Sequence, residues 1–217
     1  LMTMTILAYQ DFLQVAARKL QDPALINRRS ALLIVNFERL AELDGILGFA
    51  VVDKILTQVS NQLKAALNTE DLVGTTGRYQ VSCLLSDLLT DAHAMLAAHK
   101  ILRVLALPFV LDRRNIILAP RIGVALKNNA SATLEQLMSN ASSAVRQARL
   151  AQESIKLFAA ETEDPLHFQI DLWSDLGNAI EASEVYLGYQ PQYSIASGKI
   201  KSTEALLRWN HPTHGPM

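Results

Sequence analysis

The chain has 217 residues, of which 50% are apolar and 19% are charged, a balance typical of a soluble globular protein with a sizeable core. Its 20 basic and 21 acidic residues give a formal net charge of −1, and no basic stripe is present to neutralise a nucleic-acid backbone. No apolar run reaches the ~20 residues that cross a bilayer, and the single cysteine, Cys83, lies in the apolar run VSCLL. The composition excludes nucleic acid as a partner and a membrane segment in this stretch, and it predicts a reduced, cytoplasmic location.

The first half of the chain alternates helical and strand patterns. Apolar residues recur at helical spacing in DFLQVAARKL and again at residues 52–67, after breaks at Gly45 and Gly48. Short apolar runs typical of strands occupy residues 31–37, 72–75 and 80–85, and the last two predict a hairpin with Gly77 in its turn. The expected order is helix, buried strand, helix, hairpin.

The second half continues the alternation. Helical spacing covers residues 92–106 and 134–148, and strand patterns follow in FVL, NIILAP, RIGVAL and IKLF. Because helices and strands alternate with hairpins among them, the sequence predicts an α+β fold in which helices pack on a mixed central sheet.

A domain boundary is predicted near Pro165. The segment ETEDPLH is acidic, contains this proline and lacks periodicity. We therefore place one domain at residues 1–160, a linker at 161–165 and a second segment at 166–217. In that segment we expect a helix and then the strands YLGYQPQYSI and KIKSTEALLRW around a turn at Ser197 and Gly198.

Three sequence blocks in residues 184–215 point to a known family. The blocks YQP, EALLRW and HPTHG stand in the order and at the spacing found at the start of EAL domains, so this stretch resembles those cyclic-di-GMP phosphodiesterases. The resemblance implies the first helix and strands of a TIM barrel. Because such a barrel needs about 250 residues, residues 166–217 would be an N-terminal fragment that is inactive alone and partners with the rest of the EAL domain.

The EAL resemblance also implies site residues. Glu204 would be a ligand for Mg²⁺ or Mn²⁺, Arg208 would hold a substrate phosphate, and Gln190 and Leu207 would line the ligand groove. A planar guanidinium suits that role because it meets phosphate oxygens in pairs. The residues alone leave an alternative open, in which Glu204 and Arg208 form a structural ion pair beside a buried Trp209.

The region from about residue 8 to residue 160 is similar to GGDEF domains, mainly in the order of its elements. The stretch ALLIVNFERLAELDGILGFAVVDKIL parallels the strand, loop and helix of that family, and RIGVAL parallels its later strand SIGVA. The resemblance implies a nucleotidyl-cyclase-like fold with a mixed central sheet flanked by helices. Asn36 stands where the family has a metal-binding Asp, and Asp44 and Asp53 are the candidates for residual guanine binding, with GTP as the ligand.

The signature hairpin departs from the family pattern. Only the first glycine of G-G-D-E-F survives in the five residues Gly77, Arg78, Tyr79, Gln80 and Val81. Joining two GTP molecules needs divalent ions, and Mg²⁺ normally relies on one or two carboxylates, whereas Asn36 and Tyr79 offer neutral groups. We interpret Arg78 as a solvated turn residue. We therefore expect neither catalytic residues nor a metal cofactor in the GGDEF part.

The inhibitory pattern RxxD of the family is also incomplete. In NTED, Asp71 is kept while Asn68 replaces the arginine. We expect no docking site for product feedback at this position.

Together these patterns predict a bacterial cyclic-di-GMP signalling protein. Its GGDEF domain would be catalytically inactive and would regulate an EAL domain that hydrolyses cyclic-di-GMP in the full-length protein. The alternative is a non-catalytic cyclic-di-GMP receptor with both domains degenerate. A homodimer is compatible with paired signalling domains.

Overall fold

The structure is a computed structural model that describes residues 6–111, 114–127, 129–159, 172, 175–212 and 215–216. The chain divides into two units, residues 1–160 and residues 161–217, which are taken here one at a time. The expected linker at residues 161–165 lies outside the described residues.

The first unit contains five helices and seven strands among its described residues. In chain order they are α1 (Tyr9–Gln21), β1 (Arg29–Asn36), α2 (Glu38–Leu47), α3 (Phe49–Ala66), β2 (Leu72–Gly77), β3 (Gln80–Leu88), α4 (Ala92–Leu105), β4 (Phe109–Leu111), β5 (Arg114–Ile116), β6 (Arg121–Leu126), α5 (Leu134–Leu150) and β7 (Ile155–Leu157).

Five of these strands form one sheet in the order β2-β3-β1-β6-β7, and β4 pairs with β5 in a separate hairpin. Strand β1 is antiparallel to both β3 and β6, whereas β6 and β7 are parallel. The sheet is therefore mixed and the predicted α+β fold is confirmed.

The alternation of side chains along β1 divides the core into two layers. Leu32 and Ile34 face α1 and α5, where they pack with Phe12 and Leu137. The intervening residues, including Leu33, face α3 and α4 and form the larger cluster. Every second residue of a strand points to the same face, so a continuous apolar run can cover both faces of a central strand.

Strand β3 carries Cys83 into the larger cluster. The side chain is fully buried, and burial raises the pKa of its thiol to about 12. A thiolate is the reactive form of cysteine, so this residue acts as a small apolar core residue, as the sequence indicates.

The region after β1 differs from the prediction at Gly45. We expect breaks at Gly45 and Gly48, but Gly45 lies inside α2, and only Gly48 ends the helix. Gly48 has φ +79°, a left-handed conformation that glycine adopts without steric cost, and it joins α2 to α3. The prediction of a break at Gly45 was therefore wrong, because an exposed helix interior tolerates a single glycine.

The second unit consists of a short helix and a small antiparallel sheet. Residues 175–181 are helical, and β8 (Val185–Tyr193) pairs with β9 (Ile200–His211), which also pairs with β10 (Gly215–Pro216). Gly198 has φ +65° in the connection between β8 and β9, so the predicted helix, strand, turn and strand are all present. Across the helices that the structure describes, none combines the length and apolar character that a membrane span requires.

Candidate functional site

The first candidate site lies where β1 ends beside the β2–β3 turn. Asn36, the last residue of β1, pairs across the sheet with Gln80, the first residue of β3. The backbone N–H of Phe37 donates to the carbonyl oxygen of Tyr79 at 2.9 Å. Asn36 and Tyr79 therefore lie close together at the same end of neighbouring strands β1 and β3.

The turn itself consists of Arg78 and Tyr79. Gly77, the last residue of β2, pairs with Gln80 and is the first of the four residues of this β-turn, so it stands in the turn as predicted. Its role is steric, because a Cβ on Gly77 would lie 3.2 Å from the Cβ of Gln80. The amide of Gln80 donates to the hydroxyl of Thr76 at 3.0 Å, so Gln80 is bonded within the hairpin. Val81 is fully buried in the core.

Arg78 remains exposed in the turn and is also bonded to α2. Its Nε donates to Oδ2 of Asp44 at 2.9 Å, and its Nη2 forms an ion pair with the same oxygen. The guanidinium also lies over the ring of Phe49, with its central carbon 3.6 Å from the ring centroid. Arg78 is an exposed residue of the turn, as expected, and the contacts with Asp44 and Phe49 add to that interpretation.

Tyr79 completes this cluster. Its hydroxyl donates to Oδ2 of Asp44 at 2.6 Å and accepts from Nε of Arg78 at 2.7 Å. The hydrogen bonds from Tyr79 and Arg78 hold the pKa of the Asp44 carboxyl below its usual value, and the bond to Asp44 raises the pKa of Arg78. We call Asp44, Phe49, Arg78 and Tyr79 the turn cluster.

Asp53 is not part of the turn cluster. It lies exposed on α3, where its backbone carbonyl accepts a hydrogen bond from the Thr57 hydroxyl at 2.8 Å. Of the two residual guanine-binding candidates, the structure joins only Asp44 to the turn.

The described residues do not form a metal site. Across the part of the chain that the structure describes, no group of three or more His, Cys, Asp or Glu side chains is placed to hold an ion. At the end of β1 the amide of Asn36 and the phenol of Tyr79 stand where the family has acids. The carboxylate of Asp44 forms an ion pair with Arg78. The described residues at the end of β1 therefore lack the carboxylates that Mg²⁺ normally uses, and the absence of a metal cofactor from the GGDEF part stays a prediction.

Asp71, the remaining residue of the inhibitory pattern, is structural. It is 2% exposed, and its two carboxylate oxygens accept from the backbone N–H groups of Asn68 at 2.9 Å and Ser86 at 3.1 Å. Both oxygens bind the chain's own backbone, so this carboxylate cannot present itself to an external ligand.

The second candidate site is one face of the β8–β9 hairpin. Gln190 pairs directly with Glu204, and Arg208 lies four residues further along β9, so the three side chains share one face. Leu207 is on the opposite face and its side chain is 62% exposed. Neighbouring residues of a strand point in opposite directions, so the Leu207 side chain does not share the face of Glu204 and Arg208, and its place in the ligand groove of a complete EAL domain stays a prediction.

A short hydrogen-bond chain supports Glu204 on this face. The hydroxyl of Ser202 donates to Gln192 at 2.6 Å, and the Gln192 amide donates to Oε2 of Glu204 at 3.4 Å. The sequence analysis did not identify Ser202 or Gln192, although Gln192 stands two positions after Gln190 and the alternation of side chains places these two glutamines on the same face.

The sequence analysis also did not identify Phe49 of the turn cluster, because no sequence pattern indicated it.

The alternative ion pair between Glu204 and Arg208 is absent from the described contacts. Four residues of an extended strand span about 13 Å, which is too far for a direct ion pair. Trp209 is partly buried, and its indole N–H donates to Glu184 at 3.2 Å. The structural interpretation of this pair was therefore wrong.

Comparison with known proteins identifies both segments. The model of the diguanylate cyclase GGDEF domain matches residues 3–154, and the model of the EAL domain matches residues 173–217.

Three similar proteins come from Pseudomonas aeruginosa. The cyclic di-GMP phosphodiesterase NbdA is 25% identical over 94% of the chain, and the bifunctional diguanylate cyclase/cyclic di-GMP phosphodiesterase MucR is 27% identical over 87%. The chain spans about a quarter of these two proteins, 26% and 28% of their lengths. The crystal structure of the YfiN (TpbB) GGDEF domain superimposes with a TM-score of 0.65 at 25% identity, covering 73% of this chain and 100% of that one. The chain therefore belongs to the GGDEF family and carries an EAL segment after its GGDEF domain.

Proposed function

We propose that this chain is part of a cyclic-di-GMP signalling protein in which the GGDEF domain regulates and the EAL domain hydrolyses cyclic-di-GMP. The observation that carries the proposal is the contrast between the two candidate sites. In the first unit a neutral amide and a phenol stand in place of the acids, and Arg78 forms an ion pair with Asp44. In the second unit Glu204 and Arg208 are exposed on one face.

The loss of carboxylates argues against cyclase activity. Phosphoryl transfer relies on positioned divalent ions to neutralise the charge that develops on the phosphates. Asn36 supplies one neutral carbonyl oxygen, and Tyr79 keeps its hydroxyl bonded to Asp44. A domain that keeps the fold without this chemistry suits a regulatory role.

The EAL segment offers groups that suit a dinucleotide phosphodiester. Glu204 would contribute one carboxylate to Mg²⁺ or Mn²⁺, which in the complete domain would supply a metal-activated water. Arg208 presents a guanidinium that can pair with phosphate oxygens, and Gln190 presents an amide beside Glu204. The names of NbdA and MucR, which both include cyclic-di-GMP phosphodiesterase, support the same reaction.

Hydrolysis is tested on the full-length protein. With Mg²⁺ or Mn²⁺ we expect conversion of cyclic-di-GMP to the linear dinucleotide, and we expect Glu204→Gln to lower the rate by about 100-fold or more, since even outer partners of metal sites contribute about 10–100-fold. Glu181→Gln, at an exposed glutamate of the helix at 175–181, is the matched control and should keep full activity. Binding of cyclic-di-GMP without cleavage would contradict the proposal and support the receptor alternative.

Regulation is tested by removing residues 1–160. Allosteric coupling free energies correspond to about 5-fold to 150-fold effects, so we expect kcat/KM for cyclic-di-GMP to change by about 5-fold or more. The assay compares the full-length protein with the shortened one at the same metal concentration. An unchanged kcat/KM would remove the regulatory role, and formation of cyclic-di-GMP from GTP would contradict the loss of cyclase activity.

A further inference from the structure

Gly188 lies inside strand β8, where glycine is unfavourable because it has no side chain to pack on the sheet. An isolated glycine within a strand marks a bulge, a left-handed backbone or the close approach of another group. The pairing of β8 with β9 shifts register only between Gln192 and Tyr193, so Gly188 is not at a bulge. Its φ angle also lies outside the left-handed region. The close approach of another group is the remaining explanation.

The group that approaches Gly188 is the side chain of Arg208. A Cβ on Gly188 would lie 3.3 Å from Cγ and 3.6 Å from Nε of Arg208. The first distance is shorter than the roughly 3.5–4.0 Å at which two carbon atoms pack best. Gly188 is half-buried in a strand whose residues are mostly exposed, which agrees with cover by this side chain.

The Arg208 side chain leans toward the Glu204 end of its face. Arg208 pairs across the sheet with Tyr186, and Glu204 pairs with Gln190. Gly188 stands midway between these two partners on β8, so an arginine that covers Gly188 has leaned in the direction of Glu204. Because about 13 Å of strand separates Arg208 from Glu204, the lean directs the guanidinium toward the gap in which a phosphate group would lie.

We propose that Gly188 is a positioning residue for the phosphodiester substrate, because its missing side chain lets Arg208 lie across β8 toward Glu204. Gly188 acts through Arg208 in this role and does not itself bind the substrate. A side chain at residue 188 would push the arginine away from the strand and displace its guanidinium. This role deepens the proposed hydrolysis of cyclic-di-GMP and rests on it.

The test compares Gly188→Ala and Gly188→Val with the wild type in the full-length protein. Hydrolysis of cyclic-di-GMP gives kcat and KM, and isothermal titration calorimetry without added metal gives Kd. Since a misplacement of about 1 Å can cost about 100-fold, we expect Gly188→Val to raise KM and Kd by about 10-fold or more, and Gly188→Ala to raise them less. The change in kcat should be smaller, because a phosphate contact made before and during the reaction affects mainly KM. Valine is favoured in strands, so the substitution preserves β8.

A double-mutant cycle with Arg208→Ala separates positioning from a general effect on the strand. Arg208→Ala should itself raise Kd, and Gly188→Val should then add less than about 2-fold, because the side chain through which Gly188 acts is gone. Gly177→Ala is the matched control. A Cβ on Gly177 meets nothing within 4 Å, so this variant should keep the wild-type KM and Kd.

The outcomes for Gly188 are distinct from those for hydrolysis itself. Unchanged KM and Kd in Gly188→Val would overturn the positioning role, and so would an equal effect of this substitution with and without Arg208. A wild type that binds cyclic-di-GMP without cleaving it would contradict hydrolysis alone, and Kd would still decide the role of Gly188. A wild type that neither binds nor cleaves the dinucleotide would overturn both.

Discussion

Replacing Gly123 by alanine is expected to destabilise residues 1–160 by about 3 kcal/mol or more, in the upper range of overpacking substitutions. Gly123 lies in β6 directly beneath α5, and a Cβ there would meet the backbone N of Val145 at 2.7 Å and its Cγ2 at 2.8 Å. The carbonyl oxygen of Ala141 would be closer still. Backbone atoms of a helix cannot move aside as the end of a side chain can, so the whole of α5 would have to shift.

The measurement is urea unfolding followed by far-ultraviolet circular dichroism, since helices α1 to α5 belong to the first unit. Both tryptophans lie in residues 161–217, so their fluorescence reports on the second unit in the same samples. Gly45→Ala is the matched control. A Cβ on Gly45 meets nothing within 4 Å inside helix α2, and we expect a gain of about 0.5–1 kcal/mol. Equal stability of Gly123→Ala and the wild type would show that α5 is not held against β6 as described.

The elements of the first unit follow from the sequence because their patterns are local. Apolar residues at helical spacing gave α3, and the continuous apolar run of β1 reflects its place in the middle of the sheet with helices on both faces. Helix α2 was not predicted because Gly45 and Gly48 stand near its C-terminal end. Gly45 lies in the helix interior, where a glycine costs only about 1 kcal/mol of stability.

The candidate sites were less predictable because they depend on contacts between distant residues. Arg78 and Asp44 are 34 positions apart, so nothing in the local sequence indicates that one bonds to the other. On β9, by contrast, the alternation of side chains can be read from the sequence, and it places the Leu207 side chain on the face opposite Glu204. A motif resemblance identifies the residues of a site, but the alternation of side chains along a strand determines which of those side chains lie on the same face.

Asp71→Ala is expected to cost about 3 kcal/mol of the free energy of unfolding. The substitution leaves the buried N–H of Ser86 and the partly buried N–H of Asn68 without their acceptors, and an unsatisfied buried group costs about 1–3 kcal/mol. Asp91→Ala is the matched control, because Asp91 is a surface partner of Arg29 and exposed ion pairs contribute less than about 1 kcal/mol. A loss no larger than that of the control would show that the Asp71 bonds are not needed.

The pH dependence of Asp71 gives an independent check. Burial raises the pKa of its carboxyl above 3.8, while hydrogen bonds from Ser86 and Asn68 and the charges of Lys19 and Lys64 act in the opposite direction. As pH rises from 3.8 through the raised folded pKa, the unfolded chain releases this proton first, so the free energy of unfolding falls across that window and is constant above it. Asp71→Asn cannot titrate. The wild-type free energy of unfolding minus that of Asp71→Asn should therefore decrease with rising pH in urea titrations. An increase would mean that the hydrogen bonds outweigh burial and lower the pKa of Asp71.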